Sequence, residues 1–405
     1  MRISRADNSL IGRWWLSIDR VLLGTLVTLI LVGLVLSLAA SPSVAIRKGL
    51  PALYFAERQI LFAGIGLLLM LIVSMLSPPA IRRLALALFL GGLAVMIAVL
   101  LWGDDINGAR RWARIAGFSL QPSEFAKPGF AVLIAWAFSE GERRPDMPGF
   151  SIAVTLLALS AGVLVLQPDI GQTMLISAVW VALFLLSGRS HVAALGIGSL
   201  AAAGLAGAYA VYPHVRVRID RFITPVRGDN SQLDRAHQSF AEGGLLGRGP
   251  GEGTIKTVLP DAHTDFVFAV VAEEFGAIAA ILLLTLLATI VIRPLLRAAT
   301  ERDGFIRLST IALALLAGIQ TLINLGSNVG LLPAKGMTLP FVSVGGSSML
   351  ALSITFGMLI ALTRRRPDGR AFDVPGLRES LQESLPEGLH DGLAPMPHDG
   401  SIHSR

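Results

Sequence analysis

The residue whose type and place point most directly to chemistry is Asp265. It closes the stretch Lys256-Thr-Val-Leu-Pro-Asp-Ala-His-Thr-Asp265-Phe, which leads straight into a long apolar segment. A carboxylate at a water–lipid boundary is partly desolvated, and desolvation raises its pKa from a reference near about 3.9. Such a group suits general-base work, taking the proton of a hydroxyl as its oxygen attacks. His263 and Thr264 flank it; His263 either orients the site or is a plain interfacial histidine. Lys256 adds a cation to the same stretch, whereas Asp261 is explained by an ordinary cap or turn. Glu273 and Glu274 lie inside the apolar run, and Glu273 stands about 12 Å beyond Asp265 along a helix axis. Carboxylates at membrane depth are costly and are paired or functional, which makes Glu273 a candidate supporting residue.

Groups able to hold an anion lie in three further segments. In the first, Gly108-Ala-Arg-Arg-Trp-Ala-Arg-Ile-Ala-Gly117 precedes Gln121-Pro-Ser-Glu-Phe-Ala-Lys127. Pro122 and Ser123 mark a helix start, Glu124 complements its positive end, and Lys127 follows one turn later on the same face. Arg111 and Lys127 beside a helix amino terminus suit a phosphate or pyrophosphate, with Trp112 and Gln121 as neighbouring candidates. The alternative is an interfacial belt in which Trp112 and the arginines anchor in headgroups. The second segment is Gln167-Pro-Asp-Ile-Gly-Gln172, where Asp169 and Gln172 have capping-box spacing that needs no ligand, or else support the first cluster. The third runs from Asn324 to Ser348 and is rich in Gly, Ser and Pro, with Lys335 and Ser343 within it. Irregular backbone between apolar spans must line protein or a polar cavity, which suggests a bent or re-entrant segment.

The elements that carry these groups follow from composition. The chain has 405 residues, of which 53% are hydrophobic and 15% charged, and none is cysteine; its mean hydropathy is +0.66. Soluble domains carry about 25% charged residues, so an ordinary soluble fold is excluded. The lack of cysteine excludes a disulfide scaffold and a thiol nucleophile. The net charge is only +6 and its cations are scattered between apolar runs, which argues against a nucleic-acid partner.

Crossing a bilayer takes about 20 apolar residues. Ten segments qualify, near 21–40, 59–76, 84–102, 123–138, 149–166, 170–187, 191–212, 265–292, 305–326 and 345–363. The expectation is an all-α integral membrane protein of about ten transmembrane helices. Arginines before the first span, in alternate loops and at Arg364-Arg365-Arg366 put both termini in the cytoplasm. Arg47, Lys48, Arg58, Arg110, Arg111 and Arg114 are exceptions on the opposite side. Residues 1–20 form a cytoplasmic tail, 21–363 the membrane domain and 364–405 a flexible cytoplasmic tail. Residues 213–264 form one long extracytoplasmic loop between helices 7 and 8, and loops of that length are functional or disordered.

Together these segments resemble the SEDS family (shape, elongation, division and sporulation), the integral membrane polymerases of bacterial peptidoglycan, over nearly all of residues 20–363. The resemblance is carried by Gly108 to Lys127, Gln167 to Thr173, Pro260 to Gly276 and Gly330 to Ser348, in order and in register. Leu332-Pro-Ala-Lys-Gly-Met-Thr-Leu-Pro is similar to the division-type branch rather than the elongation-type. Two places depart from the family pattern: Val344 where Tyr is usual, and Arg235-Ala-His-Gln-Ser before Gly243-Gly244.

The resemblance implies glycosyl transfer on lipid II during septal wall synthesis, at the outer face of the bacterial inner membrane. The donor is a glycan on undecaprenyl pyrophosphate. It further implies a class B penicillin-binding transpeptidase and other divisome membrane proteins as partners. An inverting transfer needs one base, whereas a retaining one needs two carboxylates about 5 Å apart; Asp265 alone suffices for inversion. Arg111, Lys127, Lys256 and Lys335 are candidates to neutralise the diphosphate, with or without a divalent cation, Mg²⁺ or Mn²⁺, for which no carboxylate cage is evident. Two rivals explain the polar clusters without bond chemistry: a lipid II flippase or transporter, whose site belongs nearer the midplane, and a divisome scaffold.

Overall fold

The computed structural model describes residues 9–105, 109–115, 118–188, 232–332 and 336–365, with separate positions between 196 and 220. Its helices are α1 (Leu10–Ser17), α2 (Arg20–Arg47), α3 (Tyr54–Ser74), α4 (Pro78–Trp102), α5 (Pro122–Arg143), α6 (Gly149–Leu166) and α7 (Ile170–Leu186), followed by α8 (Gln232–Gly243), α9 (Val267–Ala299), α10 (Gly304–Asn328) and α11 (Gly346–Leu362). A hairpin of β1 (Ala113–Ile115) and β2 (Phe118–Leu120) precedes α5, with Arg114 opposite Ser119. Nine of the ten expected spans coincide with helices among the described residues; the tenth, near 191–212, lies outside them apart from separate positions. The tail after Arg365 and much of the first half of the 213–264 loop also lie outside.

Six of these helices are long and apolar enough to cross a membrane: α2, α3, α4, α6, α9 and α10. The apolar helices α7 and α11 have 17 residues each. The 22-residue α5 is polar at its ends, with Glu124 and Lys127 in its first turns and Glu140, Glu142 and Arg143 in its last. Burial explains the arrangement. Helix α11 is buried along its length and packs on α3, and α5 packs between α4 and α10. In contrast, α2, α3, α4 and α9 expose Leu31, Leu68, Leu90 and Leu282 outward. Apolar side chains on the outside of a bundle, with backbone groups satisfied inside each helix, are what hydrocarbon demands.

The helix ends sort the charges into two groups. Asp19 caps α2 and receives Arg293 at 2.7 Å, while Arg364 donates to Ser17 at 3.0 Å. That end carries the expected cytoplasmic arginines. Burial opposes ionisation of Asp19, but Arg293 and the amide of Leu22 outweigh it and hold its carboxyl below the usual range. The exceptional cations gather at the other end, and all but Arg110 have a partner among the described residues. Arg47 donates to the Leu259 carbonyl at 3.3 Å, Lys48 lies over the Phe55 ring, Arg58 lies over Tyr54 and Phe118, and Arg114 pairs with Asp104.

Helix α9 contains a break that a continuous apolar run does not announce. Gly276 has φ 79° and ψ −179°, so the helical hydrogen bonds lapse there. Residues 243–249 fill the gap: the Arg248 and Gly249 amides donate to the carbonyls of Glu273 and Glu274, both at 3.0 Å. The Ala277 amide donates to the Gly244 carbonyl at 2.9 Å and the Ile278 amide to that of Leu245 at 3.3 Å. Unpaired backbone inside a membrane costs several kcal/mol per group, so the inserted loop is what makes the break tolerable. A Cβ on Gly276 would stand 2.3 Å from the Leu245 carbonyl oxygen.

Candidate active site

Asp265 lies at the entrance to α9 in a tight turn, where the amides of Thr264, Asp265 and Phe266 converge on the Asp261 carbonyl at 3.0 to 3.3 Å. Thr264 Oγ1 reaches the same oxygen at 3.2 Å. Three successive carbonyls are then fixed from outside the turn. That of His263 accepts from the Val344 amide at 2.9 Å, and that of Thr264 from Ser343 Oγ at 2.5 Å. That of Asp265 accepts from Asn324 Nδ2 at 3.0 Å and Asn328 Nδ2 at 2.9 Å. Asn324 also donates to Met337, and the Leu339 amide donates to Ser343 Oγ, so α10 and the 336–345 segment are tied to the same turn. The Asp265 side chain is half-buried rather than sealed. Gly336, with φ 65°, lies against it: a Cβ there would be 3.8 Å from Asp265 Oδ2. Lys335, the next residue back, lies outside the described residues.

His263 is buried, its ring centroid 4.9 Å from that of Phe55, and its Nδ1 has no hydrogen-bond partner among the described residues. Burial, reinforced by the Lys48 charge, pushes its pKa down to about 4. The imidazole is therefore neutral near pH 7.

A second network collects the remaining polar candidates at the same end of the bundle. Arg111 stands 3.7 Å from Asp169 Oδ2, which also accepts from Gln121 Nε2 at 3.2 Å. Burial raises the pKa of Asp169 against the opposing pull of Arg111. Asp169 caps α7 through the Gln172 amide, but the reciprocal bond of a capping box is not made: the Asp169 amide donates to the Leu164 carbonyl. Gln172 Nε2 reaches Glu124 at 2.8 Å, Glu124 holds Lys127 Nζ at 2.7 Å, and Lys127 donates onward to Gln320 at 3.1 Å. From Gln320 the chain of bonds continues to Thr338 and Ser348. Arg111 and Trp112 are half-buried, but Lys127 is buried with its charge already matched.

Lys256 and Glu273 sit in a separate arrangement. Glu273 is fully buried and accepts from the Ile255 and Lys256 amides at 2.7 and 3.0 Å, capping the 3₁₀ turn Ile255–Thr257. Lys256 Nζ pairs with Glu274 and donates to the carbonyls of Gly251 and Ala39. Both carboxylates thus secure the loop against α9. Among the described residues, no three His, Asp or Glu side chains converge as a metal cage, and no step below depends on a metal.

Residues 19–367 match the profile of the cell cycle protein family that groups FtsW, RodA and SpoVE. The chain belongs to this family. It is 45% identical over 365 residues to the probable peptidoglycan glycosyltransferase FtsW of Caulobacter vibrioides, covering 90% of this chain and 94% of that one. Its identity to the FtsW of Halorhodospira halophila is 36% over 374 residues, with 88% and 94% covered. Among solved structures, it resembles a chain of a peptidoglycan synthase complex that coordinates polymerization and crosslinking, with TM-score 0.72, 27% identity, and 86% and 98% covered. The crystal structure of RodA from Thermus thermophilus gives TM-score 0.63 at 27% identity, with 87% and 99% covered. The family and its multi-pass fold account for the apolar helices described above.

In this family member, Gln320, Asn324 and Asn328 turn out to link the two networks, a part that the sequence reading did not assign to them. Their spacing of four places all three on one face of α10, and a polar stripe on an apolar span was the signal available.

Proposed function

We propose that this chain is a division-type peptidoglycan glycosyltransferase that polymerises lipid II, with the Asp265 end of the bundle facing outward from the cytoplasmic membrane. Asp265 takes the proton from the 4-hydroxyl of the acceptor sugar as that oxygen bonds to the anomeric carbon of the donor glycan. The bond from that carbon to undecaprenyl pyrophosphate breaks, the diphosphate leaves with the electron pair, and the anomeric centre inverts. One carboxylate is enough for this route. The observation that carries the reading is the fixing of three successive carbonyls, at residues 263–265, around a carboxylate that is only half-buried. Such preorganisation lets a base act without rearranging at the moment of reaction.

Of the candidate cations Arg111, Lys127 and Lys256, Arg111 is the most exposed and meets the diphosphate, and Asp169, Gln121, Glu124, Lys127 and Gln172 hold it from behind. Lys256 and Glu273 act at one remove, keeping the loop in place. The names of the FtsW relatives support this activity and a septal setting, and the synthase-complex likeness supports a penicillin-binding transpeptidase partner that crosslinks the nascent strands.

The test is a glycan-ladder assay on purified protein with lipid II, with and without its transpeptidase. Asp265→Asn keeps the shape and removes the base, so polymerisation should fall by about 10²- to 10⁴-fold in both settings. Normal ladders from Asp265→Asn would overturn the mechanism.

A further inference from the structure

The end of the bundle opposite Asp265 carries a cleft of about 550 Å³ between the start of α4 and the end of α5. Its rim holds Arg82, Arg83 and Arg144, and its apolar wall includes Leu86, Leu133 and Trp136. Among the described residues Glu140 is the one acid on the rim, and it is already matched by Arg144 at 2.9 Å. Arg82 lies over the Trp136 ring at 5.8 Å, a contact that leaves its N–H groups able to donate. Among the described residues, neither Arg82 nor Arg83 has a carboxylate partner. The indole Nε1–H of Trp136 is buried and has no acceptor among the described residues. Nε1 is closed to the cleft, so Trp136 serves it as apolar wall and as the surface beneath Arg82.

We infer that this cleft binds an anionic phospholipid, with the phosphate held by Arg82 and Arg83. One acyl chain then lies along Leu86 and Leu133 towards the hydrocarbon. Charge complementarity selects this occupant: two unmatched guanidinium groups meet an apolar wall at a helix end where headgroups lie. Basic pockets between membrane helices on the cytoplasmic side recognise anionic headgroups in this way. A zwitterionic lipid brings its own cation to the same rim and gains less. The site is remote from Asp265 and requires no part of the polymerase mechanism, so failure of either proposal leaves the other standing.

The test is native mass spectrometry of the full-length protein in detergent, titrated with phosphatidylglycerol or phosphatidylcholine of matched chains. The wild type should prefer phosphatidylglycerol, and Arg82→Ala with Arg83→Ala should weaken its binding by about 30-fold, the worth of two basic side chains near a headgroup. Equal phosphatidylglycerol binding by the wild type and the double arginine variant would overturn the proposal. So would displacement of the lipid by millimolar inorganic phosphate, which would make the cleft a site for free anions. Both side chains of the double variant are exposed, and an unchanged circular dichroism spectrum would confirm that it folds.

Discussion

Lys127 offers the most direct separation of structure from substrate handling. Its ammonium is buried against Glu124 at 2.7 Å and Gln320 at 3.1 Å, and Glu124 also receives Gln172 at 2.8 Å. Lys127→Ala leaves the Glu124 carboxylate buried with only a neutral donor. Breaking a buried pair from one side costs about 3–5 kcal/mol. Adding Glu124→Gln removes the stranded charge, and the remaining loss is that of the two hydrogen bonds from Lys127, about 1–3 kcal/mol. The double variant should therefore be more stable than Lys127→Ala by about 2 kcal/mol, near a 30-fold change in the folding equilibrium. Denaturant titration of the purified protein in detergent, followed by helical circular dichroism, measures the cycle. Glycan ladders on the same samples then read function. If Lys127 serves to hold Arg111 through the network, polymerisation recovers along with stability. If Lys127 itself meets the diphosphate, stability returns and activity does not. A double variant no more stable than Lys127→Ala would refute the stranded-charge reasoning.

Two further outcomes follow from the surroundings of Asp265. An unfolded chain protonates its histidine near pH 6.5, whereas His263 in the fold does so only at about 4. Its contribution is thus fully present above pH 6.5 and is lost as the pH falls towards 4, by about 3 kcal/mol; unfolding titrations should show this slope in the wild type and lose it in His263→Gln. At the α9 break, Gly276→Ala combines a positive φ with a Cβ 2.3 Å from the Leu245 carbonyl oxygen. It should loosen residues 243–251, seen as faster limited proteolysis with helix content retained and polymerisation lost. Gly64→Ala, where a Cβ meets nothing within 4 Å, is the silent control.

The positions of the spans were legible because hydrocarbon imposes length and composition together, and helices α2 to α7 and α9 to α11 lie where apolar runs stand in the sequence. Asp265 was legible for the same reason in reverse, as an acid at the edge of such a run. The division of labour among the cations was not. Arg111 and Lys127 read alike in sequence, yet one is half-buried near Asp169 and the other is enclosed by Glu124 and Gln320. Partners 48 and 193 residues away decide that difference, through Gln172 to Glu124 and Lys127 to Gln320, and no local pattern encodes them.

Glu273 and Glu274 carry the lesson furthest. Two adjacent carboxylates at membrane depth read as chemistry, and depth alone does not separate them from Asp265. The separation lies in burial and in what each carboxylate holds in place. At 273 and 274 the carboxylates accept from the chain's own donors, the Ile255 and Lys256 amides and the Lys256 ammonium, and so secure a loop across the break at Gly276. At 265 it is the backbone carbonyl that Asn324 and Asn328 hold, while the side chain keeps access to the surface. A carboxylate engaged by buried amides and an ammonium would lose those bonds on taking up a proton, so it is poorly placed to act as a base. The Asn324 and Asn328 bonds at Asp265 are made to its main chain, so a proton taken up by the half-buried carboxylate leaves them intact, which supports the proposed base role of Asp265 and a loop-holding one for the glutamates.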